Sequence, residues 1–343
     1  MLFAPPSIRR MMSMAGLVTG AWVAQGIAAV ASLGVADHID DQPVAVGELA
    51  RAVGADEDAL YRVLRMLVPA GVVRESSGRR FALTDVGRLL RRDHPDSMRA
   101  FAAYNGAPWH WGMWGQLAGS VRSGRPALAD GVRPLFEYLA AHPEAADTFD
   151  AAMADLSNAR DVSAISGYDF GRFKTVVDVG GGEGMLVRSV LREFPVVSGI
   201  LYDLPAVIER ARPRIEAAGV APRCALLAGS FFDSVPSGGD AYMLKQVVHD
   251  WPDDEAARIL TRCREVLPPD GRVLIIEVVV PESDEPSIAK LSDIEMLVIT
   301  GGRERSLREY ERLLERAGLR MLRAYETRSP FTIIEAARAS TSA

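Results

Sequence analysis

The sequence has 343 residues, enough for a large hydrophobic core and for more than one domain. Its apolar and charged fractions, 48% and 24%, are those of a globular protein, and its net charge of −6 gives no general basic surface for nucleic acid. Cys224 and Cys263 stand far apart without a metal-ligand spacing, so we expect no disulfide framework and a cytoplasmic location.

Residues 11–36 form a long apolar segment without a charged residue, directly after Arg9 and Arg10. By length this segment could span a bilayer, and the flanking arginines resemble those of a signal peptide. It also contains four glycines, many alanines and several polar residues. We therefore expect a buried helix or helix pair rather than a membrane segment, with a dimer interface as a candidate role.

Residues 37–92 show the order helix, helix, hairpin, helix that is typical of a winged-helix domain. Winged helices often bind DNA, which they contact with the first residues of a recognition helix. Here that helix starts with Asp56, Glu57 and Asp58, whose charge is wrong for contact with phosphate. We expect this domain to serve dimerisation and expect no nucleic-acid partner.

Residues 98–165 predict further helices, and they contain Trp109, Trp111 and Trp114 within six positions. Each tryptophan alone would indicate core packing, but three together suggest that some of them border an aromatic pocket. From about residue 171, strands and helices alternate, which predicts an α/β doubly wound sheet. The last two strands have no helix between them, so one of them is expected to be antiparallel.

The first strand-to-helix turn of this sheet reads "DVGGGEGM", residues 178–185. A dinucleotide fingerprint would place a third glycine where Met185 stands, so the pattern is D-x-G-x-G-x-G instead. Asp203 ends the second strand, where an acid is placed to hold a ribose diol. Dehydrogenases also carry such an acid, so the turn and Asp203 alone leave the ligand open.

Four motifs together, "DVGGGEG", "YDLP", "LKQVVHDWPDDEAARIL" and "GGRERS", resemble S-adenosylmethionine-dependent O-methyltransferases of the plant caffeate type and their bacterial relatives in antibiotic biosynthesis. The resemblance covers nearly the whole chain. It implies a winged-helix dimerisation domain (1–97), a helical linker that lines the acceptor pocket (98–165) and a Rossmann-like methyltransferase domain with a C-terminal antiparallel strand (166–343). The expected assembly is a homodimer through the N-terminal domain, with no membrane partner.

The resemblance also implies how S-adenosyl-L-methionine is bound. Glycines of the turn would lie next to the methionine part of the cofactor. The end of the second strand would bind its ribose, and the end of the third strand would bind its adenine. The implied cofactor residues are Ser157, Gly180, Gly182, Asp203, Leu204, Ser230, Phe231 and Lys245. Ser230 departs from the family's usual acid in "GDFF", so it is equally open that other contacts hold the adenine.

The resemblance assigns His249, of the H-D-W motif, as the general base, with Glu277 and Glu304 as the acids that orient it. A metal role for His249 is disfavoured because no second histidine or cysteine lies at ligand spacing. Asp250 is expected to cap the helix that begins near Pro252.

The acceptor residues are expected to come from two parts of the chain. They are Tyr104, Asn105, Phe149, Met153 and Met296, and Trp109 and Trp114 are further candidates. Met and aromatic residues at helical spacing are equally typical of a plain core.

The expected function is methyl transfer to the hydroxyl of a phenolic small molecule. Three alternative functions are weighed against it. N- or C-methylation, or a non-methylating reaction such as hydroxylation or decarboxylation, is disfavoured by an intact base with two acids. A nicotinamide dehydrogenase is disfavoured by Met185. A winged-helix regulator is disfavoured by the acidic helix start.

Overall fold

The computed structural model describes residues 5–127, 133–158, 165 and 167–339. The chain divides into two compact units. The first comprises Met1–Gly115 with Leu139–Ala159, and the second comprises Gln116–Tyr138 with Arg160–Ala343.

The first unit contains the predicted winged helix. The elements up to its last helix before residue 115 are α1 (Pro6–Leu33), β1 (Val44–Ala45), α2 (Val46–Val53), α3 (Glu57–Leu67), β2 (Val73–Ser76), β3 (Arg80–Leu83), α4 (Asp85–Arg88), α5 (Arg99–Gly106) and α6 (Pro108–Trp114). The strands form a small antiparallel sheet of order β1-β3-β2. Asp56 caps α3 by accepting a hydrogen bond from the Ala59 amide at 2.8 Å, which uses one of the unpaired amides at the helix start.

The helix predicted within residues 11–36 is a single helix, and only its last turns are buried. Pro6 starts α1 and Gly34, with a φ of 72°, ends it. Val30 and Ala31 pack into the core with residues of α2 and α3. The preceding turns expose large apolar side chains, so the expectation of a buried helix is wrong for this half of α1. Among the described residues, α1 is the one helix long and apolar enough to cross a membrane, and 22% of its most apolar stretch is buried.

Three helices follow: α7 (Leu117–Ser123), α8 (Arg133–Ala141) and α9 (Pro143–Asn158). The elements of the large sheet are β4 (Thr175–Val179), α10 (Met185–Glu193), β5 (Ser198–Asp203), α11 (Pro205–Ala217), β6 (Cys224–Ala228), β7 (Ala241–Lys245), α12 (Asp253–Val266), β8 (Arg272–Val278), α13 (Ile288–Ile299), α14 (Leu307–Arg316), β9 (Leu319–Glu326) and β10 (Phe331–Arg338).

The large sheet has the order β6-β5-β4-β7-β8-β10-β9. Its first five strands are parallel, and β10 inserts antiparallel between β8 and β9, which confirms the predicted antiparallel strand. Helices α10 and α11 cover one face, and α12 and α14 cover the other. The chain reverses its direction across the sheet between β4 and β7, and ligands of open α/β sheets bind outside the carboxyl ends of the strands at such a point.

Candidate active site

Glycines shape the turn after β4. Gly180, Gly182 and Gly184 have φ of 67°, 57° and 76°, in the left-handed region that glycine enters without steric cost. The buried carboxylate of Asp178 accepts a hydrogen bond from the Val187 amide at 3.1 Å and so ties the strand to the first turn of α10. The turn therefore presents backbone, rather than side chains, at the carboxyl end of the sheet.

Asp203, at the end of β5, faces this turn. Its Oδ2 accepts a hydrogen bond from the Gly182 amide at 2.8 Å, and its Oδ1 accepts one from the Leu204 amide at 2.7 Å. Burial raises the pKa of Asp203, while these two amides lower it. A carboxylate has about four acceptor positions, so two remain for a ligand's hydroxyl groups. The side chain of Leu204, next to it, is half exposed.

Phe231 lies against the glycine turn from the third strand's side. A side chain at Gly180 would come within 3.2 Å of the Phe231 ring and 3.0 Å of Val247, so both positions border the same space. Phe231 packs edge-on against Trp251, with ring centroids 5.9 Å apart. Ser230 uses its hydroxyl to accept the Phe232 amide at 3.3 Å, an ordinary turn contact.

Two further predicted cofactor residues lie on different elements. Lys245 ends β7, and its Nζ donates to Gln246 Oε1 at 3.2 Å and lies 4.8 Å from the centre of the Phe331 ring. Ser157 lies on α9, and its side chain is outside the described part of the chain.

His249 sits in a short 3-10 turn after β7 and is almost fully buried. Its Nδ1 lies 2.9 Å from Glu304 Oε1 and 3.5 Å from Glu277 Oε2. Its Nε2 lies 3.7 Å from Asp250 Oδ1. The structure thus brings together the three residues of the predicted catalytic set, although they come from positions 28 and 55 residues apart in sequence.

The two glutamates contact His249 in different ways. Glu277 is fully buried in β8, and its Oε1 accepts hydrogen bonds from the amides of Val247, Val248 and His249 at 3.1, 3.1 and 3.3 Å. Gln246, directly before these three amides, takes a left-handed φ of 52°, and successive amides beside such a residue can form a concave anion-binding site. Glu277 therefore holds the backbone that carries His249 and also faces the ring at 3.5 Å, whereas Glu304 hydrogen-bonds the ring directly.

Glu304 has a hydroxyl partner that sequence reasoning missed. Its Oε1 accepts a hydrogen bond from Ser292 on α13 at 2.7 Å, and its amide donates to Asp293 at 3.0 Å. In the sequence, Ser292 and Asp293 are only a dipeptide in an apolar helix, and no rule of spacing links them to residue 304. Together they fix the carboxylate that faces His249 Nδ1.

Asp250 does not cap α12, contrary to the expectation. The residue before that helix is Pro252, without a side-chain capping bond, and Asp250 turns instead toward His249 Nε2. Burial raises the pKa of Asp250 to about 6.

The charges around His249 set its protonation. Burial lowers the pKa of the imidazole, but Glu277, Glu304 and Asp250 outweigh this and raise it to about 10. Burial likewise raises the pKa of Glu277 above that of an exposed glutamate. The neighbouring acidic groups therefore favour the protonated form of His249 in the ligand-free protein.

The same three side chains have ligand atoms within 4.8 Å of one another, close enough for a metal ion in principle. However, Glu277 Oε1 already accepts three amides, and Glu304 Oε1 already contacts His249 Nδ1 and Ser292. This hydrogen-bonding pattern is that of an imidazole whose ring is oriented by a carboxylate.

The predicted acceptor residues lie in both units. In the first unit, Tyr104 is buried against Phe149, with ring centroids 6.0 Å apart, and the Asn105 amide donates to Phe101 O at 2.8 Å. Met153 lies on α9 and is partly buried. In the second unit, Met296 lies on α13, and its sulfur accepts a hydrogen bond from Thr300 at 3.8 Å.

Comparison with known proteins gives consistent matches along the chain. Residues 114–320 match the model of the O-methyltransferase domain, and residues 15–93 match that of the O-methyltransferase dimerisation domain. The chain is 39% identical to phenazine O-methyltransferase PhzM of Lysobacter antibioticus, over 93% of this chain and 94% of that protein. It is 37% identical to the mitomycin biosynthesis 6-O-methyltransferase of Streptomyces lavendulae, over 94% and 93%.

A solved structure extends these matches to bound ligands. The O-methyltransferase NcsB1 from neocarzinostatin biosynthesis, in complex with S-adenosylmethionine and 2-hydroxy-5-methyl naphthoic acid, is 34% identical. It aligns with a TM-score of 0.79 over 92% of this chain and 95% of its own.

Proposed function

Since the chain belongs to the S-adenosylmethionine-dependent O-methyltransferase family, we propose that it methylates the hydroxyl of a phenolic small molecule of secondary metabolism, with His249 as general base. The observation that carries the proposal is the buried His249, whose Nδ1 lies 2.9 Å from Glu304 while Glu277 fixes its backbone. A cytoplasmic location is part of the proposal.

The residues at the carboxyl end of the sheet suit S-adenosylmethionine. The left-handed glycines give a ligand close access to the backbone, and Asp203 keeps acceptor positions for the ribose hydroxyls. Leu204 and Phe231 offer apolar surface for the nucleoside, and we propose Ser157, Ser230 and Lys245 as further contacts. When bound, the cofactor supplies an electrophilic methyl group on a positively charged sulfur.

His249 would accept the acceptor's proton at Nε2. A phenol has a pKa near ~10 and a free imidazole one near ~6.5, so complete proton transfer would cost roughly 5 kcal/mol. Glu277, Glu304 and Asp250 reduce this cost because they raise the pKa of His249 to about 10. Glu304 also fixes the tautomer, since a proton on Nδ1 pointing at its carboxylate leaves Nε2 as the acceptor.

The raised pKa has a second consequence, because only a neutral His249 can act as a base. An imidazolium beside a positively charged sulfonium is disfavoured by Coulomb repulsion. His249 would therefore lose its proton more easily in the complex with S-adenosylmethionine than in the free protein. Holding the hydroxyl in line with the methyl group is worth an effective molarity of ~10⁵ M or more. This rate enhancement adds to the one from the general base.

We propose five contacts to the acceptor on the basis of the resemblance: Tyr104, Asn105, Phe149, Met153 and Met296. Their mixture of aromatic, thioether and amide groups suits a flat aromatic molecule with few polar substituents.

We propose a homodimer formed through the N-terminal domain. The matched dimerisation domain begins at residue 15, inside α1. The first half of this helix exposes a run of large apolar side chains, including Leu17 and Trp22 at 77% and 67% exposure. A second copy of the chain would remove this apolar surface from water.

The experiment that tests the proposed function is a panel of hydroxylated aromatic acceptors with isotope-labelled S-adenosylmethionine, read by mass spectrometry. The expected product carries one labelled methyl group on oxygen. Transfer only to nitrogen or carbon, or an oxidised product without a label, would contradict it.

A further inference from the structure

Arg305, the residue after Glu304, has the largest fully buried side chain among the described residues. Its guanidinium donates five hydrogen bonds. Nη1 donates to Val248 O and Arg303 O at 3.1 and 3.2 Å, Nη2 to Trp251 O and Asp253 Oδ1 at 2.9 and 2.8 Å, and Nε to Asp253 Oδ1 at 3.1 Å. The whole donor capacity of the side chain is thus used.

Two of these acceptors belong to the turn that carries His249. Val248 precedes His249 and Trp251 follows it by two residues, so Nη1 and Nη2 hold the turn from both sides. The Arg303 amide adds a third contact by donating to His249 O at 2.8 Å. The segment of Glu304 is thus bound to three carbonyls of the turn of His249.

A glycine and a strand contact bring the same segments together. A side chain at Gly302 would overlap the carbonyl oxygen of His249, so only glycine allows this approach. Val280, just beyond β8, donates its amide to Arg305 O at 3.0 Å. Arg305 therefore lies where the segments carrying His249, Glu277 and Glu304 meet.

We propose that Arg305 is a positioning residue for methyl transfer, which fastens the turn of His249 to the segment of Glu304 and so sets the separation between Nδ1 and the carboxylate. The proposal rests on His249 acting as the base. Lysine could not replace the arginine in this role. Its three donors all lie on one nitrogen, whereas the acceptors around Arg305 are spread around the three nitrogens of a planar guanidinium. Arg305 touches no reacting atom and acts through His249.

The test is Arg305→Lys, which keeps the charge and loses the fork, in the full-length dimer. We expect kcat to fall about 10- to 10²-fold, as small misplacements of a catalytic group do. KM and the affinity for S-adenosylhomocysteine should stay within about twofold. In ¹⁵N-histidine-labelled protein, the downfield Nδ1–H resonance, assigned with His249→Ala, should shift or broaden.

Arg316→Lys is the matched control, because Arg316 also lies near Asp253, at 3.8 Å, but among the described residues it forms ion pairs only with Asp253 and Asp254. It should leave kcat and the resonance unchanged. If Arg305→Lys does not fold, Asp253→Asn, which weakens the anchor of the guanidinium, should lower kcat in the same way by a smaller factor.

Wild-type kcat and an unchanged resonance in the folded variant would overturn the proposal, and so would a loss of kcat that only parallels a loss of cofactor affinity. A failed base assignment is distinguishable from either result, because His249→Ala would then keep full turnover.

Discussion

At the scale of single residues, the site is a histidine whose ring and backbone are held by different carboxylates. Glu304 contacts Nδ1, and Glu277 accepts the three amides of the turn. Both carboxylates are buried, and a buried charge is costly unless it is paired or hydrogen-bonded. The two glutamates should therefore differ in what their removal does.

Glu277→Ala should destabilise the fold by at least about 3 kcal/mol, because it leaves three buried amides without an acceptor at about 1–3 kcal/mol each. Glu277→Gln keeps a carbonyl oxygen in the same place and should lose much less. Urea unfolding monitored by circular dichroism measures both. Equal losses in the two variants would contradict the anchoring role of Glu277.

The pH dependence of stability should report His249. The folded-state pKa is raised to about 10 from an ordinary value near 6.5, so the folded protein binds the proton more tightly. This stabilisation is fully present below about pH 6.5 and is lost as the pH rises toward 10.

We therefore expect the free energy of unfolding to decrease between pH 6.5 and 10, and the decrease to be smaller in His249→Gln. Urea titrations across that range test this. A wild-type protein whose stability increases over the range relative to the variant would contradict the raised pKa.

At the scale of elements, the turn after β4 and the end of β5 act together. Asp203 accepts a hydrogen bond from the Gly182 amide, which fixes the shape of the turn, and we propose that it also binds the ribose of the cofactor. We expect Asp203→Ala to weaken S-adenosylhomocysteine binding at least tenfold, since one charged acceptor of hydrogen bonds is worth about 1.5–3 kcal/mol. Calorimetry that gives an unchanged affinity would remove the ribose role.

Helix α1 carries the second element-scale prediction. Leu17→Glu places a charge in the exposed apolar half of the helix, where a partner subunit would have to bury it. We expect the variant to elute as a monomer where the wild type is a dimer, as measured by light scattering after size exclusion. Val196→Glu is the control, because Val196 is 81% exposed outside the matched dimerisation domain. A Leu17→Glu dimer would contradict the proposed interface.

The elements were largely predictable because their signals are local. The alternation of strands and helices predicted the parallel sheet, and the missing helix before β10 predicted the antiparallel strand. The exposure of α1 was not predictable, since an apolar helix looks the same whether its own chain or another subunit covers it. Asp250 was expected as a cap because aspartate commonly caps helices, but Pro252 begins the helix and leaves Asp250 to face His249.

At the scale of the whole molecule, the sequence indicated which residues meet but not how they divide the work. The motifs, through their resemblance to a family, predicted that His249, Glu277 and Glu304 lie together. The amides that Glu277 accepts, the hydroxyl of Ser292 and the buried fork of Arg305 are tertiary contacts without a fixed spacing. They became visible only when three segments of the chain were folded onto each other.

We propose that His249 takes the proton of the acceptor hydroxyl, and the decisive variant is His249→Ala, assayed on the acceptor found in the panel. We expect S-adenosylhomocysteine affinity to stay within about twofold, and methyl transfer to fall at least about 10²-fold, the lower bound for a positioned base. Near-wild-type turnover in a folded variant with intact cofactor affinity would show that His249 is not the base.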